Sequence, residues 1–211
     1  MIIIGAGGHA LDVFDVMLES EVDEEIFFYD DIDVSNCSLH NCKVLNSPEA
    51  VKKIFPGKFK FVLGTGDAAV RKFLFNKFIR LGGEYVPLKS SESIFSPFAS
   101  DASFDVMKNC FIGSGTVIGQ GCLINTGAQI HHGVKIGEFS EISPRAIMLG
   151  NVIIGANCSV GAGATILPKI SIGCNTIIGA GAIVTKNIAG DAVAFGNPAK
   201  IITPSRSYGA A

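Results

Sequence analysis

Charged residues are scarce in this sequence, and basic residues are not in excess. Asp, Glu, Lys and Arg make up 17% of the 211 residues, and the formal net charge is −2. Such a chain lacks the cationic surface that a phosphate backbone would require, so a nucleic-acid partner is not expected. No uninterrupted apolar run approaches the length of a membrane-spanning helix, and no basic leader precedes the first apolar run. These absences predict a cytoplasmic protein without membrane insertion.

Metal-ligating side chains are also few and poorly spaced for a metal site. Cys37 and Cys42 flank His40 in a spacing that fits no zinc template, and the other four of the six cysteines lie far apart. We expect all six to be reduced thiols that fill space as small apolar side chains, with no metal bound. Two of the four histidines, His131 and His132, are adjacent.

Glycine, in contrast, is abundant and unevenly distributed. Of the 25 glycines, 17 follow residue 105, and every sixth residue of that half is aliphatic. A period of six is typical of a parallel β-helix, in which a short strand forms each side and glycine relieves the corners. Three hexads close one coil, so fourteen hexads predict a prism roughly 23 Å tall. The aliphatic positions are Val106, Ile112, Ile118, Ile124, Ile130, Ile136, Ile142, Met148, Ile154, Val160, Ile166, Ile172, Ile178 and Val184.

The first half alternates short apolar runs with helical patterns. The runs cover residues 1–4, 26–29 and 60–63, and each ends in glycine or aspartate. This alternation predicts a small parallel sheet of Rossmann-like βαβ units, with ligands at the carboxyl ends of the strands. We therefore divide the chain into an α/β domain, residues 1–90, and a β-helix domain, residues 91–211, with a C-terminal cap. The α/β half is expected to cover the other open end of the β-helix.

A glycine turn follows the first apolar run. The segment Gly5-Ala6-Gly7-Gly8-His9-Ala10 matches G-x-G-x-x-A, and Asp30 and Asp31 lie near the twenty-residue offset of that fingerprint. A helix N-terminus offers free N–H groups to a phosphate, and absent side chains permit close approach. The alternative is a tight turn that needs glycine for its geometry alone. The short first half suits a mononucleotide or a nucleotide-sugar better than a dinucleotide.

The adjacent histidines are the only ones in the repeat region. The period places Ile130 in the interior and leaves His131 and His132 at or beside a corner. A neutral imidazole is the usual general base near pH 7. The pattern is compatible with a catalytic role for one of the two and with a pair of solvated corner residues.

Six motifs occur in a specific order along the chain, namely I-I-I-G-A-G-G-H-A, F-Y-D-D, G-T-G-D, N-T-G-A-x-I-H-H, G-N-V-x-I-G and G-N-P-A-K. In these motifs the chain resembles the left-handed β-helix (hexapeptide-repeat) acyltransferases. More narrowly, it resembles their bacterial nucleotide-activated amino-sugar N-acetyltransferases and sialic-acid O-acetyltransferase-like proteins. The resemblance implies a left-handed β-helix, a homotrimer and acetyl-coenzyme A as co-substrate, with active sites in the clefts between neighbouring prisms.

The resemblance also implies catalytic roles. His132 would take a proton from the sugar amine, and the Gly150 N–H would stabilise the oxyanion. Many relatives have an acid directly after this histidine, where the chain has Gly133, so Glu138 and Glu141 are the candidate orienting partners. Glu141 also stands where relatives often carry a second histidine that is associated with the acetyl group.

Binding residues are implied in both halves. The coenzyme arm would approach the prism at Glu141, Gly150, Ala162 and Ala180, and Lys186 and Lys200 could meet its phosphates. The candidates for the nucleotide-sugar are Gly7, Gly8 and His9 for the phosphates, Asp30 and Asp31 for the base or ribose, and Asp67 as a weaker contact.

The predicted function is acetyl-CoA-dependent N-acetylation of a nucleotide-linked 4-amino-4,6-dideoxy sugar for surface glycans. One alternative is O-acetylation of a sugar such as a sialic acid. An alternative of another class is a non-catalytic assembly or nucleotide-sensing module, with the glycine turn as its working site.

Overall fold

The computed structural model describes residues 1–19, 24–33, 35, 38–100 and 103–204. The chain divides into two compact units, Met1–Leu88 and Lys89–Ala211. The first is an α/β unit and the second is a three-sided parallel β-helix, which confirms the predicted fold class. Within the described ranges, no helix combines the length and the apolar character needed to cross a bilayer.

The α/β unit contains one six-stranded sheet. Its elements are β1 (Ile2–Ile4), α1 (Gly8–Glu19), β2 (Phe27–Tyr29), β3 (Ser38–Leu39), β4 (Cys42–Leu45), α2 (Pro48–Ile54), β5 (Phe59–Leu63), α3 (Ala68–Arg80) and β6 (Gly83–Tyr85). The strand order is β3-β4-β2-β1-β5-β6, and every pair is parallel except the β3–β4 hairpin. The segments that follow β1, β2 and β5 therefore meet at one edge of the sheet.

The central strands of this sheet carry the apolar runs. All residues of β1 and β2 are buried, because helices cover a parallel sheet on both faces. The predicted strands and the helix around residues 71–80 are confirmed as β1, β2, β5 and α3. The β3–β4 hairpin, α2 and β6 were not predicted, because they are short and lack a strong apolar pattern.

The β-helix unit is built from two-residue strands, with longer ones at its C-terminal end. In chain order they are β7 (Ile94–Phe95), β8 (Asp105–Val106), β9 (Phe111–Ile112), β10 (Val117–Ile118), β11 (Leu123–Ile124), β12 (Gln129–Ile130), β13 (Lys135–Ile136), β14 (Glu141–Ile142), β15 (Ile147–Met148), β16 (Ile153–Ile154), β17 (Ser159–Val160), β18 (Thr165–Ile166), β19 (Ser171–Ile172), β20 (Ile177–Ile178), β21 (Ile183–Val184), β22 (Ala192–Phe195) and β23 (Lys200–Pro204).

These strands stack into three faces. Face A contains β10, β13, β16 and β19; face B contains β8, β11, β14, β17, β20, β22 and β23; and face C contains β7, β9, β12, β15, β18 and β21. From β8 to β18, each strand pairs in parallel with the strand 18 residues later, as Ile130 does with Met148. The fourteen predicted aliphatic residues are the second residues of β8 to β21, and none is more than 3% exposed. The hexad prediction is confirmed.

Glycine has two separate roles at the corners. Every sixth residue from position 109 to position 181 has a positive φ, and most of these residues are glycine or asparagine. Glycine directly after the interior aliphatic residue serves a different purpose. At Gly137, for example, an added Cβ would lie 2.5 Å from the backbone nitrogen of Ala156 in the next coil. The first role supplies an unusual backbone angle, and the second allows close stacking.

Both ends of the β-helix continue into irregular chain of the same unit. At the C-terminal end, β22 pairs in parallel with β20, and β23 folds back antiparallel onto β22. At the other end, β7 pairs with β9, and the Ser90 and Ser100 N–H groups donate to the first coil. Residues 89–100 therefore extend the coil at this end.

The cysteines divide by their position in the repeat. Cys110, Cys122 and Cys158 are buried in the core, as predicted, and burial raises the pKa of the Cys110 and Cys158 thiols. Cys174 is exposed at a corner and Cys42 is half-buried, so the prediction was wrong for Cys174. Cys37 lies outside the described residues.

Candidate active site

One corner of the β-helix carries the histidine pair. Residues two positions after the strands of face C form a column along the prism, and backbone hydrogen bonds fix its register. The Asn151 N–H donates to the His132 carbonyl at 2.9 Å, and the Lys169 N–H donates to the Gly150 carbonyl at 3.0 Å. The 18-residue coil thus places Gly150 one coil beyond His132. In order, the column contains Ser114, His132, Gly150, Pro168 and Lys186.

The His132 imidazole lies over the main chain of Gly150. A Cβ built on Gly150 would lie 2.6 Å from Cε1 of His132 and closer still to Nε2. Gly150 is buried, whereas His132 is exposed. The imidazole therefore packs against the main chain of Gly150 and remains accessible to solvent. Within the described residues, no backbone carbonyl accepts the Gly150 N–H. The structure therefore brings together the candidate base and the candidate oxyanion donor.

Gly133 follows His132, and a side chain of the neighbouring coil fills the space beside it. Gly133 has φ +68°, and a Cβ added there would collide with Oδ1 of Asn151. Asn151 is itself in the left-handed region at φ 61° and is exposed. The Asn151 side chain thus occupies the space that a side chain at position 133 would need. Sequence reasoning missed this residue, although its offset of 18 from Gly133 was available.

Neither acidic candidate lies on the histidine corner. Glu138 is exposed at the next corner, between faces A and B. Glu141 belongs to β14 of face B, which lies across the prism from the corner between faces C and A. The Glu141 side chain is buried and accepts a hydrogen bond from Ser143 Oγ at 2.8 Å. Within one chain, the structure does not bring either carboxylate to His132.

Apart from Glu141 and Lys200, the coenzyme candidates lie at two different corners. Gly150 and Lys186 belong to the His132 column, between faces C and A. Ala162 and Ala180 lie at the corner between faces B and C, where the Gly181 N–H donates to the Ala162 carbonyl at 2.8 Å. All of them except Gly150 are exposed. Lys200 begins β23 and is also exposed.

The α/β unit contains a cavity of about 500 Å³ at the carboxyl ends of its central strands. It opens between the glycine turn, the loop after β2, the loop after β5 and one side of α3. Of the predicted binding residues, Gly7, His9, Asp30 and Asp31 line it, while Gly8 begins α1 beside it. The other lining residues are Ile4, Gly5, Ala6, Tyr29, Ile32, Gly64, Thr65, Gly66, Val70, Phe73 and Leu74.

The glycines of the turn are needed for different reasons. Gly5 has φ +118°, and its Cβ would lie 2.7 Å from the Gly64 carbonyl oxygen, so the fold itself requires glycine there. An added Cβ on Gly7 or Gly8 would meet nothing within 4 Å, and neither residue has a positive φ. The geometry of the chain therefore does not explain these two glycines. Open space beside a helix N-terminus is what the approach of an anionic phosphate needs.

The two aspartates after β2 have different surroundings. Asp30 Oδ1 accepts the N–H of Ile32 at 2.9 Å, which closes the loop. Asp31 Oδ2 accepts the Tyr29 hydroxyl at 3.0 Å and forms an ion pair with Lys77 Nζ at 2.5 Å. Lys77 Nζ also donates to the Tyr29 oxygen at 2.9 Å and lies 5.0 Å from the centre of that ring. Tyr29, Asp31 and Lys77 form a closed cluster, which we call the Asp31 clamp.

The clamp holds Asp31 ionised. Partial burial by itself would raise the pKa of Asp31, but hydrogen bonds from Lys77 and Tyr29 and the charge of Lys77 outweigh it, and the pKa is lowered. Burial is the largest cause of the raised pKa of Tyr29. Burial would lower the pKa of Lys77, yet its bonds to Asp31 and Tyr29 raise it. At neutral pH the clamp therefore contains a carboxylate, a neutral phenol and an ammonium group.

Two residues of α3 complete this region and were not predicted. Phe73 lines the cavity although it is 65% exposed, and Lys77 lies one turn further along the same side of the helix.

Asp67, in contrast, was predicted as a contact but serves as the N-cap of α3. Its Oδ1 accepts the Val70 N–H at 2.9 Å, and it does not line the cavity. Across the described ranges, no cluster of three His, Cys, Asp or Glu side chains could hold a metal ion.

Two family models match the chain, one in each unit. The model of the PglD N-terminal domain matches residues 1–78. The model of the bacterial transferase hexapeptide (six repeats) matches residues 115–150 and 133–168. The cavity with the glycine turn lies in the first match, and the His132 column lies largely in the second.

Comparison with solved structures covers nearly the whole chain. The acetyltransferase domain of PglB from Neisseria gonorrhoeae, in complex with acetyl-coenzyme A, is 28% identical with a TM-score of 0.88, over 95% of this chain and 98% of that one. PerB from Caulobacter crescentus, in complex with CoA and GDP-perosamine, is 27% identical with a TM-score of 0.85, over 96% of each chain. WeeI from Acinetobacter baumannii, at 23% identity and a TM-score of 0.79, shares the fold. The similarity therefore includes both units and the order in which they occur.

Proposed function

We propose that the chain is a left-handed β-helix (hexapeptide-repeat) acetyltransferase that transfers the acetyl group of acetyl-CoA to the amine of a nucleotide-linked 4-amino-4,6-dideoxy sugar. One observation carries the proposal: His132 is seated over Gly150 in a chain that also holds an open glycine turn beside a cavity. Structures that cover the same two units contain acetyl-CoA in one case and both CoA and GDP-perosamine in another. The product would serve the synthesis of surface glycans.

In this mechanism His132 acts as general base. The amine nitrogen of the sugar attacks the thioester carbonyl carbon, and the imidazole takes the proton that the nitrogen loses as the C–N bond forms. The oxygen of the resulting tetrahedral intermediate is negatively charged, and the Gly150 N–H is available to donate to it. The intermediate collapses with cleavage of the C–S bond, and the imidazolium returns its proton to the leaving thiolate.

The positions of the coenzyme candidates support a homotrimer. His132, Gly150 and Lys186 share one corner of the prism, whereas Ala162 and Ala180 share another. One coenzyme molecule can meet both sets if two copies place different corners in the same cleft. A cyclic trimer creates three such clefts. We place the reaction in the cytoplasm, where reduced thiols such as Cys174 are expected.

The proposal is tested by release of free coenzyme thiol from acetyl-CoA. Purified protein is incubated with nucleotide-linked 4-amino-4,6-dideoxy sugars and, in parallel, with hydroxyl acceptors such as a sialic acid. Turnover with an amine acceptor supports the proposal, and transfer to hydroxyl groups alone would replace it with O-acetylation. Folded protein that gives no turnover with any acceptor would point instead to a non-catalytic module.

A variant pair identifies the base. His132→Ala is expected to lower turnover by at least about 10²-fold with the fold intact, because the proton acceptor is lost. His131→Ala is the matched control: its ring packs against Phe111, with 5.6 Å between centroids, and its change should be much smaller. Equal losses in the two variants would contradict the assignment of His132.

A further inference from the structure

We infer that Arg145 binds the phosphate that is joined to the acceptor sugar, in the cleft that contains His132 of a neighbouring copy. The inference rests on the proposed function and on its cyclic trimer. It adds to each active site a residue from a second copy. It also means that the acceptor is a sugar linked through phosphate rather than a free sugar.

Arg145 places a long cationic side chain at a corner position that mostly holds glycine or asparagine. Its φ is 59°, and the residues one coil before and one coil after it, Gly127 and Gly163, are glycines with positive φ. A bulky residue in this left-handed region is strained, and such strain is found chiefly at functional sites. The backbone of Arg145 is therefore a first indication that its side chain has a function.

The charge of Arg145 is not used within the described part of the chain. The side chain is exposed, and it forms no ion pair and no side-chain hydrogen bond with any described residue. Lys108 lies at the same corner, between faces B and C, but it pairs with Glu92 at 3.7 Å. Arg145 thus presents a guanidinium group that an anionic ligand can bind.

The backbone register places Arg145 at the height of His132 along the prism. The Arg145 N–H donates to the Thr126 carbonyl at 3.0 Å. Cγ of Arg145 lies 3.3 Å from a Cβ built on Gly127, so the side chain runs back along the corner towards the preceding coil. In the sequence His132 lies between Gly127 and Arg145, which are one coil, or about 4.8 Å, apart along the prism. The Arg145 side chain therefore covers the height at which His132 lies.

Face C separates the Arg145 corner from the His132 corner. Its outward residues are mostly apolar, as expected of a surface that packs against other copies, and they include Ile94, Phe111, Ile147 and Ile183. A cyclic trimer whose prisms are parallel to the three-fold axis keeps each residue at the same height in every copy. With face C towards that axis, each cleft is lined by the His132 corner of one copy and the Arg145 corner of the next.

The chemistry of the acceptor identifies the ligand of Arg145. In a nucleotide-linked 4-amino sugar the phosphate is on C1 and the amine is on C4, and these are opposite atoms of one six-membered ring. When the amine lies at His132, the phosphate is only the width of that ring away. In acetyl-CoA, by contrast, the long pantetheine arm separates the thioester from the phosphates. The phosphate near the reacting atoms is therefore that of the sugar, and a guanidinium group binds it through paired hydrogen bonds.

The first test uses acceptors that differ only in the group on C1. Wild type and Arg145→Gly are assayed with the best nucleotide-linked 4-amino-4,6-dideoxy sugar, with the 1-phosphate of that sugar and with its methyl glycoside. We expect Arg145→Gly to lower kcat/KM about 10- to 100-fold for the two phosphorylated acceptors, mainly through KM, as for a lost hydrogen bond to a charged group. The methyl glycoside should lose nothing, and KM for acetyl-CoA should not change. Equal losses with all three acceptors, or no loss with any, would overturn the inference.

Two further variants separate phosphate binding from a general effect of surface charge or of folding. The melting temperature of Arg145→Gly should stay close to that of the wild type, because glycine accepts the positive φ. Arg145→Lys should restore part of the lost kcat/KM. Lys169→Gly is the matched control: Lys169 is also exposed with a φ of 63°, but it follows His132 by more than two coils. A rise in acceptor KM that is equal in Lys169→Gly and Arg145→Gly would contradict the assignment.

Complementation tests whether Arg145 acts in the cleft of a neighbouring copy. His132→Ala and Arg145→Gly chains are co-expressed with different tags, and mixed trimers are purified through both tags. Each mixed trimer has one cleft in which the Arg145→Gly copy supplies His132 and the His132→Ala copy supplies Arg145. At acceptor concentrations below KM, mixed trimers should therefore regain about a third of the wild-type activity. Mixed trimers no more active than the better single variant, or a protein that is monomeric in the assay, would overturn the inference.

Calorimetric binding distinguishes failure of the inference from failure of the proposed function. Absence of turnover by the wild type with every acceptor would count against the acetyl transfer. Binding of nucleotide-linked 4-amino-4,6-dideoxy sugars to wild type and Arg145→Gly would still be compared, and we expect the variant to bind about 10- to 100-fold more weakly. Equal affinities would overturn the inference alone, and failure of every such sugar to bind the wild type would count against both.

Discussion

The two candidate sites are assembled by different rules. In the β-helix unit, His132, Gly150 and Lys186 each lie two residues after a strand of face C, so distance along the sequence determines distance along the prism. In the α/β unit, the cavity collects residues that follow β1, β2 and β5, and the spatial order of these strands differs from their order in the chain. The residues of a site in a repeat can be identified by counting along the sequence. The residues of a site at a sheet edge can be identified only when the strand order is known.

The largest predicted effects test whether successive coils of the β-helix contribute equally to its stability. Ile124 and Ile142 pair across neighbouring strands of face B, and both are fully buried. Replacing either by Ala should lower the free energy of unfolding by about 2–5 kcal/mol, and the two losses should be similar because the surroundings repeat. Chemical denaturation of the β-helix transition measures both. Val117→Ala, at a position 51% exposed, is the control and should cost far less; strongly unequal losses at the two buried positions would break the equivalence.

The next prediction tests whether activity requires His132 to pack against Gly150 of the neighbouring coil. In Gly150→Ala the new methyl group would occupy the space of the His132 ring, so the imidazole must move from its seat. We expect turnover to fall by about 10²-fold, comparable to loss of a general base, with little change in the melting temperature. Steady-state assays with both substrates measure this. Pro168→Ala, one coil further along the same column, should have a small effect; an active Gly150→Ala enzyme would show that the ring is held elsewhere.

A smaller effect is expected from Gly133→Glu, and a second substitution, Asn151→Gly, should compensate for part of it. Gly133→Glu introduces the acid that many relatives carry, but the residue has φ +68° and its Cβ would collide with the Asn151 side chain. We expect a loss of about 1–3 kcal/mol in unfolding free energy, of which Asn151→Gly in the double variant recovers the part due to the collision. A double-mutant cycle followed by thermal unfolding measures the coupling. Additive losses in the cycle would contradict the view that positions 133 and 151 compete for the same space.

The repeat made much of the second unit predictable from sequence. The hexad count predicted every interior aliphatic residue from Val106 to Val184, and the 18-residue coil relates His132 to Gly150. The exposed position of Cys174 was available from the same count, because it stands two residues after an interior aliphatic residue while the buried cysteines stand four after one. The extra coil at residues 89–100 was not predicted, since its segment has no hexad pattern.

The first unit was less predictable because its site depends on contacts across the sheet. The glycine turn and the aspartates after β2 were identified from local motifs. The partner of Asp31 was not, because Lys77 lies 46 residues further along the chain and meets it only when α3 packs beside β2. The separate reasons for Gly5 and Gly7 likewise require the neighbouring strand β5 to be in place. Local patterns predicted which segments form the edge of the sheet but not how their side chains pair.

Asp67 gives the smallest predicted effect and tests whether a motif residue of the first unit is structural. Its carboxylate caps α3 through the Val70 N–H, so Asp67→Ala should cost about 1 kcal/mol of stability and leave KM for the nucleotide-linked sugar unchanged. Ser47→Ala is the matched control, because Ser47 Oγ caps α2 through the Ala50 N–H at 3.1 Å. Thermal unfolding and steady-state kinetics on both variants separate the two roles. A rise in KM for Asp67→Ala that Ser47→Ala does not share would mean that the carboxylate reaches the substrate, and the sheet edge would then contain a third acidic contact beside Asp30 and Asp31.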